Sequence, residues 1–197
     1  NDAIPDLVRY NYTASASRTD WYVSLGSLSG SFGSETKWGS ADGDRRWDAG
    51  TVLADVNGDC YPDLLYGAGP RIEVLLNNGS KFSSAQVWYT SPSGQAQTLT
   101  IGNYVFIEDM NGDGKSDLIR LVLKDYRDVT GEVSKLGVFP CFDWTVYSST
   151  GSKFDPAGVV WLPSGQSFTR FEMTLTQPLT TGNVTQYFLR RYKPGYM

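Results

Sequence analysis

Histidine is absent from all 197 residues of the chain. That removes Ser–His and Cys–His nucleophilic catalysis and every His-ligated metal from within this polypeptide. Cysteine is nearly absent as well, with only Cys60 and Cys141, too few for a disulfide scaffold. No apolar run is long enough to span a bilayer, which speaks against membrane insertion. Charged residues make up 19% of the chain, and 17 basic against 21 acidic residues leave a net charge of −4. A nucleic-acid or anionic-membrane partner needs clustered Lys and Arg, so neither is expected. Helical periodicity is missing throughout, whereas Gly, Ser, Thr, Tyr and Trp are plentiful, the composition of a secreted β protein.

Two short segments nearly superimpose. Asp55-Val-Asn57-Gly-Asp59-Cys-Tyr61-Pro-Asp63-Leu and Asp109-Met-Asn111-Gly-Asp113-Gly-Lys115-Ser-Asp117-Leu both read D-x-N-G-D-x-x-x-D-L. Side-chain oxygens at loop positions 1, 3, 5 and 9 converge when such a chain curls tightly. Three carboxylates and an amide that close would repel unless a hard cation sat between them, and calcium takes about six to eight such oxygens. The loops recur after 54 residues, from Asp55 to Asp109, which makes the chain a repeat. A truncated third copy opens the sequence, since Asp2-Ala-Ile-Pro-Asp6-Leu matches Asp59-Cys-Tyr-Pro-Asp63-Leu.

A second landmark follows each loop. Gly30-Ser-Phe32 precedes Trp38, Gly79-Ser-Lys-Phe82 precedes Trp88, and Gly151-Ser-Lys-Phe154 precedes Trp161. Between loop and landmark lie period-two runs such as Arg71–Leu76 and Trp144–Tyr147, read as strands. Further strands enter the loops at Thr51–Ala54 and Tyr104–Glu108 and leave them at Leu64–Tyr66 and Leu118–Leu123. Four short antiparallel strands per unit make a β-propeller blade. The expected fold is therefore all-β, a partial propeller of about three to four blades over residues 1–161. The third unit carries an insertion at roughly Lys124–Phe142, and residues 162–197 read as an irregular C-terminal hairpin or partial blade without an acidic loop.

The loops together with the G-S-x-F…W landmark resemble the FG-GAP or VCBS repeats of integrin-like propellers. Such repeats occur in secreted bacterial and fungal proteins, in fungal propeller lectins and in shell components of some bacterial toxin complexes. The resemblance implies calcium held by Asp55, Asn57, Asp59, Asp63 and the Tyr61 carbonyl in one loop. In the other it implies Asp109, Asn111, Asp113, Asp117 and the Lys115 carbonyl. One position departs from the pattern: Cys60 stands where Gly114 stands in the second loop, at a turn that favours a left-handed backbone. An EF-hand is excluded, because its twelfth position needs a bidentate Glu and here holds Tyr66 or Arg120.

Other residues carry competing readings. Trp38, Trp88 and Trp161 share one repeat position and are expected to pack between blades. Trp47 lies outside that register, and with Asp44 and Arg45 it is either a sugar-binding constellation or a surface turn with local ion pairs. Cys60 and Cys141 are either bridged or two unrelated thiols. Asn11, Asn78 and Asn183 head N-x-S/T sequons. Since propellers close with about four to eight blades, another chain or segment is expected to complete the ring. The functional expectation is an extracellular, secreted or cell-surface, calcium-stabilised binding module for a glycan or protein partner. A structural part of a toxin shell or surface filament is the alternative. A propeller lyase or hydrolase ranks last, because no catalytic constellation is visible.

Overall fold

The computed structural model describes residues 4–92, 99–102, 104–128 and 138–162. The expected hairpin at 162–197 lies, apart from its first residue, outside the described residues, as do Asn183 and the opening Asp2. Among the described residues there is no α-helix. Two single 3-10 turns, Ala14–Ala16 and Trp47–Ala49, interrupt an otherwise all-β chain.

Three sheets follow one another along the sequence. The first contains β1 (Leu7–Thr13), β2 (Arg18–Ser24) and β3 (Thr36–Asp42), paired antiparallel in chain order. The second contains β4 (Val52–Ala54), β5 (Asp63–Ala68), β6 (Arg71–Leu75) and β7 (Gln86–Thr90), again a simple antiparallel meander. The third contains β8 (Thr100–Ile101), β9 (Tyr104–Glu108), β10 (Asp117–Asp128), β11 (Val138–Tyr147) and β12 (Val159–Leu162). Strands β9 to β12 repeat the four-stranded meander, and β8 adds a short parallel strand beside β9. The described residues thus form a partial propeller of three blades, with three described strands in the first.

The described residues on either side of the insertion lengthen a hairpin. Strands β10 and β11 stay paired as far as Asp128 opposite Val138, with a register shift between Leu123 and Asp125. A shift there re-aims the outer part of the ribbon relative to the blade.

Blade stacking follows from the alternation of β5. Leu64, Leu65 and Tyr66 form an unbroken apolar run, the signature of a strand buried on both faces. Leu64 and Tyr66 face the first blade, joining Trp21, Val23 and Ala41 in one cluster. Leu65, with Ile72 and Val74, faces the third blade and packs with Leu118, Tyr147 and Phe154. All three of Leu64, Leu65 and Ile72 are fully buried, and truncating such a residue to Ala costs about 2–5 kcal/mol.

The landmark residues form the joints between blades. The Phe82 N–H donates to the Trp38 carbonyl at 2.9 Å, and the Phe154 N–H donates to the Trp88 carbonyl at 3.1 Å. Each pair also meets ring to ring, edge-on, with centroids 5.8 Å apart for Trp38–Phe82 and 5.5 Å for Trp88–Phe154. Edge-to-face pairs of this kind contribute about 0.5–1.5 kcal/mol beyond their burial. Glycine is required where β5 ends: a Cβ on Gly67 would collide with the Leu99 carbonyl, so no larger residue lets the segment before β8 lie against β5.

Candidate functional site

The acidic loops sit between β4 and β5 and between β9 and β10, and each curls onto its own backbone. In the first, Asp55 accepts from the N–H groups of Gly58 (2.7 Å) and Cys60 (2.7 Å). Asn57 Oδ1 accepts from the Asp59 N–H, and Asp59 Oδ1 from the Tyr61 N–H. The second loop repeats this: Asp109 accepts from Gly112 and Gly114, Asn111 from Asp113, and Asp113 from Lys115. Short polar side chains capture nearby N–H groups and bend the chain into successive turns. The residues expected at positions 1, 3 and 5 therefore bond back onto their own loop in both copies, with Asp59, Asn111 and Asp113 exposed at its surface.

Position 9 does something different. Asp63 is fully buried and spans two segments, accepting from Val56 (3.1 Å) and Asn77 (2.8 Å). Asp117, also fully buried, accepts from Met110 (3.2 Å) and Ser149 (2.8 Å). The truncated copy keeps half of this pin, with Asp6 accepting from the Gly26 N–H at 2.9 Å. Burial pushes the Asp63 carboxyl up to about 6, against the pull of its two N–H donors and with further push from Asp59 and Asp55. Asp117 is raised for the same reason, burial. A charge held in so poorly solvated a place is stabilised by a nearby cation.

The two loops touch. The Ser116 N–H donates to the Asp55 carbonyl at 2.7 Å, and the Lys115 stem lies against Gly58. The Lys115 ammonium bonds Asp113 at 2.8 Å, which holds the Asp113 carboxyl below its ordinary range. In the first loop the corresponding partner of Asp59 is the Asn57 amide, at 2.9 Å.

The donor set has the chemistry of a hard-cation site: oxygen only, negatively charged, and bonded back onto the loop backbone at positions 1, 3 and 5 of each loop. The fit is incomplete in one respect. Among the described residues no three acidic or cysteine side chains are gathered closely enough to hold a metal ion. Position 9 is drawn beneath the loop by its backbone donors, and an amide and an ammonium occupy oxygens that a cation would use.

The second expected site is divided. Asp44 pairs with Arg46 at 2.8 Å, and Arg46 reaches Asp48 at 3.6 Å, so this turn carries local ion pairs. Trp47 turns inward against the first blade, edge-on to Tyr10 at 6.3 Å. Arg45 goes the other way, its guanidinium 4.6 Å from the centre of the Tyr66 ring and donating to the Gly67 carbonyl at 3.0 Å. There it lines a cleft of about 710 Å³ between the first and second blades, together with Arg18, Asp42, Arg71 and Glu73. These partners come from three separate strands, β2, β3 and β6, and no local spacing in the sequence announces them. The cleft lies around the end of β5, whereas the acidic loop lies at its start.

Cys60 is exposed, and the Cys141 side chain lies outside the described ones, as would any bridge between them. Asn11 is exposed on β1, and Asn78 is exposed in the turn after β6.

Residues 55–120 match the family model of the FG-GAP-like repeat. This stretch carries FG-GAP-like repeats. No curated protein matches the chain. Among solved structures it is similar to one reported as the structural basis of specific recognition of non-reducing terminal N-acetylglucosamine by an Agrocybe aegerita lectin. The identity is 18%, the match covers 82% of this chain and 53% of that one, and the TM-score is 0.42. The chain thus spans about half the length of that structure, and a score of this size carries no inference about ligand. The FG-GAP-like segment contains both acidic loops and strands β5 to β7 of the second blade.

Proposed function

We propose that the chain is an extracellular, calcium-stabilised propeller module that binds glycans in the cleft between its first and second blades. The cleft is the observation that carries this reading. It offers forked N–H donors from Arg18, Arg45 and Arg71 beside acceptors on Asp42 and Glu73. Sugar hydroxyls both donate and accept, so a mixed lining of this kind suits them. Three arginines against two carboxylates favour an acidic saccharide, such as a uronate or a sulfated sugar. Tyr66 is 2% exposed beneath Arg45, so recognition runs through hydrogen bonds rather than ring stacking.

Calcium in this reading is structural. Asp55, Asn57, Asp59, Asp63 and the Tyr61 carbonyl would hold one ion, and Asp109, Asn111, Asp113, Asp117 and the Lys115 carbonyl another. Filling either loop would fix the junction between two strands and the contact between the loops.

A glycan array probed with the labelled chain, with and without EDTA, tests the proposal. Arg71→Ala and Arg45→Ala are expected to abolish binding to acidic glycans, and EDTA to weaken it by loosening the blades. Glycan binding that survives both substitutions would place recognition elsewhere. A blank array with retained binding to a protein partner would replace a glycan by a protein as the ligand.

A further inference from the structure

The turn between β6 and β7 carries two adjacent asparagines that are used differently. Asn77 engages both ends of its amide: Nδ2 donates to the Pro62 carbonyl at 3.1 Å, and Oδ1 accepts from the Gly79 N–H at 2.9 Å. Asn78 engages one end only. Its Oδ1 accepts from the Ser80 N–H (3.0 Å), the Lys81 N–H (2.9 Å) and the Ser80 hydroxyl (2.8 Å). Among the described residues nothing accepts from its Nδ2, and Asn78, Gly79 and Ser80 are all exposed.

The third blade shows what this turn requires. Thr150 holds the matching position, one residue before Gly151-Ser-Lys-Phe154. Both turns close alike, the Asn78 N–H donating to the Lys81 carbonyl at 3.2 Å and the Thr150 N–H to the Lys153 carbonyl at 2.9 Å. The Thr150 hydroxyl accepts from the Lys153 N–H at 3.2 Å, the bond that Asn78 Oδ1 makes to Lys81. One side-chain oxygen therefore suffices to cap the turn. The Asn78 Nδ2 is the group the fold leaves over, and it belongs to the sequon Asn78-Gly79-Ser80.

We propose that Asn78 is an N-glycosylation site. A glycan linked to asparagine is bulky and needs an exposed position, which this turn provides. The step joins Nδ2 to the anomeric carbon of the first sugar. It breaks that carbon's bond to the phosphate of a lipid-pyrophosphate-linked oligosaccharide. The lipid pyrophosphate leaves, and one Nδ2 proton passes to a base of the transferase. Oδ1 remains an amide oxygen in the product, so the three bonds it accepts are compatible with the attached sugar. The turn supplies no residue to the cleft between the first two blades, so the inference stands apart from glycan binding there and rests only on the extracellular reading.

Peptide mass spectrometry of the protein from its natural source, with and without peptide N-glycosidase in heavy-oxygen water, reads the outcome. The peptide containing Asn78 is expected to carry a glycan and to leave the enzyme with a heavy-oxygen aspartate at that position. In the chain secreted from a eukaryotic host, Asn78→Thr and Ser80→Ala should each lose the glycan from this peptide. Asn78→Thr copies the cap of the third blade, so its thermal midpoint should match that of the enzyme-stripped wild type, which separates loss of the sugar from loss of the turn. An unmodified Asn78 on protein recovered outside the cell overturns the inference and leaves the extracellular reading standing. An unmodified chain recovered only inside the cell overturns both. A glycan that persists on this peptide in Ser80→Ala also overturns the assignment, since the sequon is then not what directs it.

Discussion

The two acidic loops solve one folding problem with different residues. In both, the Asp at position 1 accepts from the backbone N–H groups three and five residues on, and the Asp at position 9 is buried between two segments. They differ where the turn goes left-handed. Gly114 takes φ = 84° without steric penalty, whereas Cys60 is held at φ = 68° with a β-carbon. They differ also in charge, since the second loop brings its own ammonium in Lys115 and the first relies on the Asn57 amide. The first loop is thus the more strained of the two and has no internal cation. Its geometry is held from outside, by the Ser116 N–H on the Asp55 carbonyl and by Lys115 against Gly58.

The feature the loops share should give the largest effect. Removing the carboxyl in Asp63→Ala strands the buried N–H of Val56 and the partly buried N–H of Asn77, and Asp117→Ala strands the buried N–H of Ser149 and the partly buried N–H of Met110. An unsatisfied buried donor costs about 1–3 kcal/mol, so each variant should lose about 3 kcal/mol in denaturant unfolding. The two losses should be similar, because the pins are alike. The isosteric Asn should recover part of the stability, since one acceptor oxygen remains. A negligible loss in either variant would break the equivalence of the two pins.

Metal removal comes next. At a hundredfold excess of calcium over its dissociation constant, each filled loop would contribute about 2.7 kcal/mol to apparent stability. Asp55→Ala and Asp109→Ala should each lower Tm in calcium yet change little once EDTA is present. Equal destabilisation in both conditions would show that these residues act through their backbone hydrogen bonds alone.

How much of this could be read from the sequence depended on how local the chemistry was. The loops and the Phe…Trp landmark were legible because each rests on spacing within a dozen residues, and the blade period because the loops recur after 54 residues. The role of Trp38 and Trp88 between blades was legible because a fixed repeat position implies a fixed face. The pinning role of Asp63 was not, since its partner Asn77 lies across a strand pair and looks like any turn residue. Nor was the cleft, because Arg45 and Trp47, two residues apart at the start of a single 3-10 turn, diverge, one onto Tyr66 and one onto Tyr10. The insertion gave no hint that it would extend the β10–β11 ribbon, because its polar residues lack the alternation that marks a half-buried strand.

The left-handed position separates the loops by a smaller amount. A β-carbon in that region costs about 1–2 kcal/mol, of which glycine's greater freedom in the unfolded chain offsets about half. Cys60→Gly should therefore stabilise the protein by about 0.5–1 kcal/mol. Gly114→Ala should destabilise it by a similar amount. Both are measured by thermal unfolding with a reductant present, so that no bridge to Cys141 contributes. A Cys60→Gly variant that is less stable would mean the thiol makes contacts worth more than the strain it imposes.

The smallest effect on stability, and the sharpest test of the comparison, belongs to Lys115. Its ammonium holds Asp113 at the loop surface, where water screens the pair, so Lys115→Gln should leave Tm without calcium nearly unchanged. Calcium binding should respond far more. Lys115 occupies a carboxylate oxygen of Asp113 that an ion would take, and its charge repels the incoming cation. Removing it should tighten calcium at the second loop while leaving the first loop's affinity almost as it was. Titration calorimetry can separate the two sites by comparing Lys115→Gln with Lys115→Gln carrying Asp55→Ala. If calcium instead binds more weakly to the second loop, the Lys115 stem is needed to hold the loop in shape, and the contrast between a self-neutralised loop and an uncompensated one fails.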